Sequence, residues 1–159
     1  MDDKFACMDN DSKPNIQLAV PFFGVADMEA SLRFYVEGLR FTMTKQWTPR
    51  GKIEWCWLER DAVSLMLQTA RADTPPSAVA AMPGSGPSIN FQCRDALALY
   101  HEFKDRGLTV SEPFVGNGMW VVILKDPDGY HLDFESPTAV AEETTYTEWL
   151  KQNARAFSE

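Results

Sequence analysis

Strand-like apolar runs occur in eight stretches of this chain, and helical spacing of apolar positions in three more. The stretch from Ile16 through Val20, ending near Phe23, reads as a strand. Asp27 then stands where a helix N-cap belongs, and Met28, Leu32 and Tyr35 recur at helical spacing up to Gly38, read as the helix end. Three strand-like runs follow, Phe41–Trp47, Ile53–Glu59 and Val63–Gln68, with Arg60-Asp61 as a tight polar turn between the last two. Residues 69–87 show no periodicity and hold Pro75, Pro76, Pro83, Gly84, Gly86 and Pro87, the composition of a linker.

Beyond the linker the order repeats. Ser88–Cys93 is strand-like. Asp95 caps a helix carrying Leu97, Tyr100, His101 and Phe103, closed by Gly107. Leu108–Glu112, Met119–Lys125 and Tyr130–Glu135 read as strands, and Asp126-Pro127-Asp128-Gly129 as a turn. Residues 138–159 are acidic and helical at their end, with Tyr146, Trp149 and Leu150 as apolar contacts. Asp27 and Asp95 are 68 residues apart; Phe34 and Phe103, like Gly38 and Gly107, are 69 apart. A period this long, occurring twice, means a duplicated module. The fold class is therefore α+β, two tandem βαβββ modules whose sheets curve around a cleft while helices cover the outer faces. The expected organisation is a leader at 1–15, one domain at 16–137 with modules 16–68 and 88–135, and a tail at 138–159.

Composition narrows the partners. A formal net charge of −8 argues against nucleic acid and anionic membrane, both of which demand clustered Lys and Arg. It is compatible with a cationic small ligand. The first residues lack the basic start and apolar core of a signal peptide, and no stretch reaches the roughly 18 apolar residues of a membrane span. Cys7, Cys56 and Cys93 form no CxxC; Cys56 and Cys93 read as small buried hydrophobes, and a reducing cytoplasm is expected. No nucleophilic triad, G-x-S-x-G turn, phosphate-binding glycine loop or paired zinc motif is present.

Three motifs in order carry a family likeness. Val25-Ala26-Asp27-Met28-Glu29-Ala30-Ser31-Leu32-Arg33-Phe34-Tyr35 with Gly38-Leu39 and Phe41 resembles a first-module helix signature, and Lys125-Asp126-Pro127-Asp128-Gly129-Tyr130 resembles a second-module turn. Trp55, Leu58-Glu59-Arg60-Asp61 and Leu65-Met66-Leu67 look like the third and fourth strands of bleomycin-resistance proteins. From Ile16 to Pro137 the chain resembles the vicinal-oxygen-chelate superfamily, the glyoxalase, bleomycin-resistance and dioxygenase family. The resemblance implies either metal-dependent catalysis or metal-free sequestration of a ligand, and a homodimer in which exposed aromatics such as Trp47 or Trp149 lie at the interface.

The metal-dependent members carry His, Glu or Gln at matched inward positions on the first and fourth strands of each module. The resemblance places these positions on Val20, Met66, Ser88 and Asp133. Only Asp133 is a conventional ligand for a hard divalent ion. The expectation is thus a metal-independent small-molecule binding protein with no cofactor, an antibiotic being one candidate ligand. Its cleft is lined by Phe22, Trp55 or Trp57, Met66, Gln68, Asn90, Gln92, Trp120 or Met119, Asp133 and Phe134. Two other readings stay open. One is an enzyme of lyase, isomerase or dioxygenase type, with an atypical metal site at His131 and Asp133 or with Asp133 as general base. The other is an interaction module whose cleft is packed shut. His101 is expected on the solvated helix surface.

Overall fold

The computed structural model describes residues 15, 16, 18–69 and 88–156. Cys7 and nearly all of the expected leader and linker lie outside these residues. The first module comprises β1 (Phe22–Val25), α1 (Met28–Leu32), β2 (Thr42–Trp47), β3 (Trp55–Arg60) and β4 (Val63–Thr69). The second comprises β5 (Ser88–Gln92), α2 (Ala96–Asp105), β6 (Phe114–Gly116), β7 (Met119–Lys125) and β8 (His131–Pro137); α3 (Tyr146–Ala156) follows. Each module makes its own four-stranded mixed sheet, ordered β1-β4-β3-β2 and β5-β8-β7-β6, with the first and last strands parallel and the rest antiparallel. The duplication expected from the spacing is present, as the tandem βαβββ plan.

Both helices start as expected. Asp27 Oδ1 accepts from Ala30 N–H at 3.1 Å and Asp95 Oδ1 from Ala98 N–H at 2.9 Å, each satisfying an amide that the first turn leaves unpaired. Their ends differ. Gly107 takes φ +79°, the left-handed cap that favours glycine. The first helix instead widens over Arg33–Gly38, where Leu39 N–H reaches back five residues to Phe34 O at 2.9 Å. Gly38 is needed for closeness, not for its φ: a Cβ there would sit 2.8 Å from Leu108 Cδ2. The left-handed residue beyond it is Arg40, at φ +59°.

Three strand expectations shift. The first strand begins at Phe22, and Ile16 and Leu18 are exposed rather than paired. Leu108–Glu112 joins no ladder; the place is taken by β6, linked to β7 through Asn117-Gly118, both at positive φ as a two-residue hairpin turn requires. Leu150 is exposed, so only Tyr146 and Trp149 of the expected trio pack inward.

Each sheet buries one face. Phe23, Val25, Cys56, Leu58, Leu65 and Leu67 line the inner face of the first sheet, and Leu132, Phe134, Leu124, Val122 and Trp120 that of the second, in one shared core. Burial pushes the Cys56 thiol up to about 11, so it serves as a small apolar filler; Cys93 is only half-buried. The modules meet through these inner sides. Phe23 stacks on Tyr130 (4.2 Å between centroids), Phe41 meets Phe91 edge-on, and the Arg60 guanidinium pairs with Glu102 at 3.0 Å. The Asp126–Gly129 turn completes the first helix from the other module: Asp128 Oδ1 accepts Ala26 N–H at 2.9 Å and Asp126 Oδ2 accepts the Tyr35 hydroxyl at 2.9 Å. Burial raises the Asp126 carboxyl above the usual carboxylate range, against the hydrogen bonds it accepts. No helix among the described residues is long and apolar enough to cross a membrane.

Candidate ligand-binding faces

Strand alternation leaves the opposite face of each sheet open. On the first sheet, register sets Phe22, Met66, Trp57 and Lys45 in one row, and Gly24, Gln68, Trp55 and Trp47 in the next. Phe22 is 54% exposed and Trp47 50%, so this is an uncovered aromatic surface. Trp55 and Trp57 were expected as alternatives, one facing in. Being two residues apart, they share the open face, and the residue turned inward is Cys56. Trp57 is already engaged: its indole N–H donates to Glu59 Oε1 at 2.7 Å and the Lys45 ammonium lies 5.0 Å from its ring centroid.

The open face of the second sheet is polar. Its rows are Ser88, His131 and Lys125; Asn90, Asp133 and Ile123; and Gln92, Glu135, Val121 and Phe114. Gln92 Nε2 donates to Asn90 Oδ1 and, at 3.2 Å, to Glu135 Oε2, so the two amides and the carboxylate act as one tethered group. His131 shares the face with Asp133, as expected, and its Nε2 is enclosed with no hydrogen-bond partner among the described residues. His101 lies on the exposed side of α2, bonded to the Tyr146 hydroxyl at 2.8 Å.

Phe22, Trp55, Trp57, Met66 and Gln68 are therefore brought together on one face, and Asn90, Gln92, His131 and Asp133 on the other. Trp120 and Phe134 join neither. Trp120 is 5% exposed on the inner face, covered by Tyr146 and Trp149 of α3, and Phe134 stacks on Phe91; at that strand position Met119 faces outward instead. Sequence reasoning missed Glu135 and Phe114. Period-two spacing from Asp133 finds the first, and the Asn117-Gly118 hairpin signal finds the second. Among the described residues, no hydrogen bond, ion pair or ring contact joins the open face of one sheet to that of the other.

Register also corrects the matched metal positions. Val20 precedes β1, and the residue paired with Met66 is Phe22; Asp133 is paired with Asn90, and Ser88 with His131. A phenyl, a thioether, one amide and one carboxylate do not make the donor set that a hard divalent ion needs. No group of three or more His, Cys, Asp or Glu among the described residues is placed to hold one. Two cavities lie elsewhere. One of about 1250 Å³ sits at the end of the first sheet beside Met28, Trp47 and Ile53, and one of about 550 Å³ between the modules, beside Arg60, Phe91 and Glu102.

The family model described as glyoxalase/bleomycin resistance protein/dioxygenase superfamily matches residues 17–134. No curated protein matches the chain. Among solved structures, TnmS3, an antibiotic binding protein from Streptomyces sp. CB03234, superposes with a TM-score of 0.60 at 23% identity, covering 79% of this chain and 100% of its own. The bleomycin resistance determinant encoded on transposon Tn5 gives 0.59 at 21%, covering 79% and 100%. A bleomycin-binding protein complexed with bleomycin gives 0.59 at 21%, covering 76% and 98%. At these identities the structures speak for the fold, and the family match covers most of the chain. The protein belongs to the glyoxalase/bleomycin resistance protein/dioxygenase superfamily.

Proposed function

We propose that this protein binds and sequesters a small organic cation bearing planar rings, without a metal ion or cofactor, as a homodimer in the cytoplasm. The observation that carries the reading is the division of labour between the two open faces. One offers Phe22, Trp55, Trp57 and Met66 as an apolar, stacking surface; the other offers Asn90, Gln92, Asp133 and Glu135 as acceptors and negative charge. A planar cation needs both. Among the described residues no contact joins the two faces within one chain, and in this reading a second copy setting its polar face against the first copy's aromatic face completes the site. Antibiotic binding by the structural relatives TnmS3 and the bleomycin-binding protein supports a ligand of this kind. The net charge of −8 favours the cation over an anion.

The test is titration with bleomycin and with planar cationic dyes in chelator-treated buffer, read by tryptophan fluorescence and by sedimentation. Saturable quenching that is weakened in Trp55→Ala and in Asp133→Asn, from a dimeric species, is the expected result. No saturable change across the panel, or binding that appears only on adding a divalent ion, defeats it. The second outcome would favour the alternative reading of an enzyme centred on His131 and Asp133.

A further inference from the structure

The family match ends at residue 134, yet the segment beyond it is built into the second sheet. Residues 143–146 run antiparallel to β6: Val115 N–H donates to Thr144 O at 2.9 Å, Glu143 N–H to Val115 O at 2.9 Å, and Tyr146 N–H to Pro113 O at 2.8 Å. The Glu142 carboxylate accepts Asn117 N–H and Gly118 N–H at 2.9 and 2.6 Å, clamping the hairpin turn. Thr138 N–H closes the other side onto Gly118 O at 2.9 Å. These bonds hold a strand of only three residues, which has little of its own to fix it.

The strand so held turns Phe114 onto the open face. Its ring lies across Gly116, where an added Cβ would stand 3.3 Å from Phe114 Cε2 and 3.8 Å from Val121 Cγ2. Val121 is covered although it belongs to the open face, and Phe114 itself remains 37% exposed. The same row leads across β7 to Glu135, whose carboxylate is held by Gln92. An aromatic shelf and a fixed anion thus lie two strands apart, roughly 10 Å by ordinary strand spacing.

We propose that the C-terminal strap makes Phe114 a second stacking surface, so that the polar sheet selects an arylalkyl amine whose ring lies on Phe114 and whose cationic nitrogen meets Glu135. Glu142 acts here as a positioning residue. The proposal rests on the ligand-binding reading above and names the class of ligand.

Quinacrine, a planar ring with a tethered tertiary amine, is the probe, measured by equilibrium dialysis. Phe114→Ala is expected to weaken it by about three- to tenfold, the range for one lost aromatic contact. Gly116→Ala, which pushes the ring off its seat, should move affinity in the same direction with the thermal midpoint nearly unchanged. Glu142→Gln should speed amide exchange at Asn117 and Gly118 in the ligand-free protein. Unchanged exchange in Glu142→Gln overturns the strap. Wild-type affinity in Phe114→Ala, where Trp55→Ala has lost binding, overturns the shelf and leaves the binding function standing. A wild-type protein that does not take up quinacrine while still binding bleomycin overturns the ligand class alone; failure with both overturns this proposal and the function together.

Discussion

The two modules follow one plan and finish it differently. In the second, α2 is regular, ends on a left-handed glycine, and shares its sheet with α3. In the first, α1 lasts five residues and widens into a looser turn. The outward faces diverge as well, aromatic on one sheet and polar on the other. Duplication fixed the strand order and the helix starts, which repay every copy equally. A face that evolves apart from its twin, while the core behind both stays common, is the pattern expected where the outer surfaces serve a ligand and the inner ones serve the fold.

That contrast can be broken by substitution. The largest effect is expected from Phe103→Ala, which empties a fully buried site against Phe134: about 3–5 kcal/mol of unfolding free energy, read by urea titration. Trp55→Ala removes a larger side chain from the open face and should cost within about 1 kcal/mol, because little packing is lost. Equal losses would mean that the open face is structural.

Next come the two glycines at matched positions. Gly38→Ala is expected to cost about 1–3 kcal/mol by overpacking on Leu108, and Leu108→Ala in the same chain should restore part of it. Gly107→Ala should cost about 1 kcal/mol through its left-handed φ, with no rescue from any neighbour. If Leu108→Ala gives no rescue, crowding is not what Gly38 relieves.

The smallest effect concerns the turn that joins the modules. Because burial raises Asp126 in the folded protein, the native state holds its proton more tightly than the unfolded chain does. Its contribution is therefore most favourable at low pH and declines as pH rises from the ordinary carboxylate range through the raised value. Asp128, Tyr35 and Tyr130 face it. The difference in unfolding free energy between wild type and Asp126→Asn should shift in favour of the variant across that interval. A difference that stays flat, or runs the other way, refutes the assignment.

Much of this architecture could be read from the chain. Asp27 and Asp95 announce their helices because a short carboxylate before an apolar repeat has few other uses, and the turn at Asp126–Gly129 leaves no alternative. The candidate faces were legible wherever alternation was followed strictly: Ser88, Asn90 and Gln92 emerge together, as do Met66 and Gln68. The errors have physical causes. Treating Trp55 and Trp57 as alternatives overlooked that residues two apart point the same way. Leu108–Glu112 has strand composition, but Leu108 is drawn against Gly38 and the ladder starts later. Trp120 looked like a cleft residue because nothing local reveals that a distant helix lies over it. Contacts made by residues from beyond the repeat carry no periodic signal.

The closure of the first helix has a further meaning for how the protein comes into being. Ala26 waits for Asp128, 102 residues downstream, and Gly24 for Tyr130, 106 downstream. During synthesis the leading half therefore leaves the ribosome before either of these contacts can form. Closure of the first helix is thus a long-range contact, completed only once the far turn has found its place.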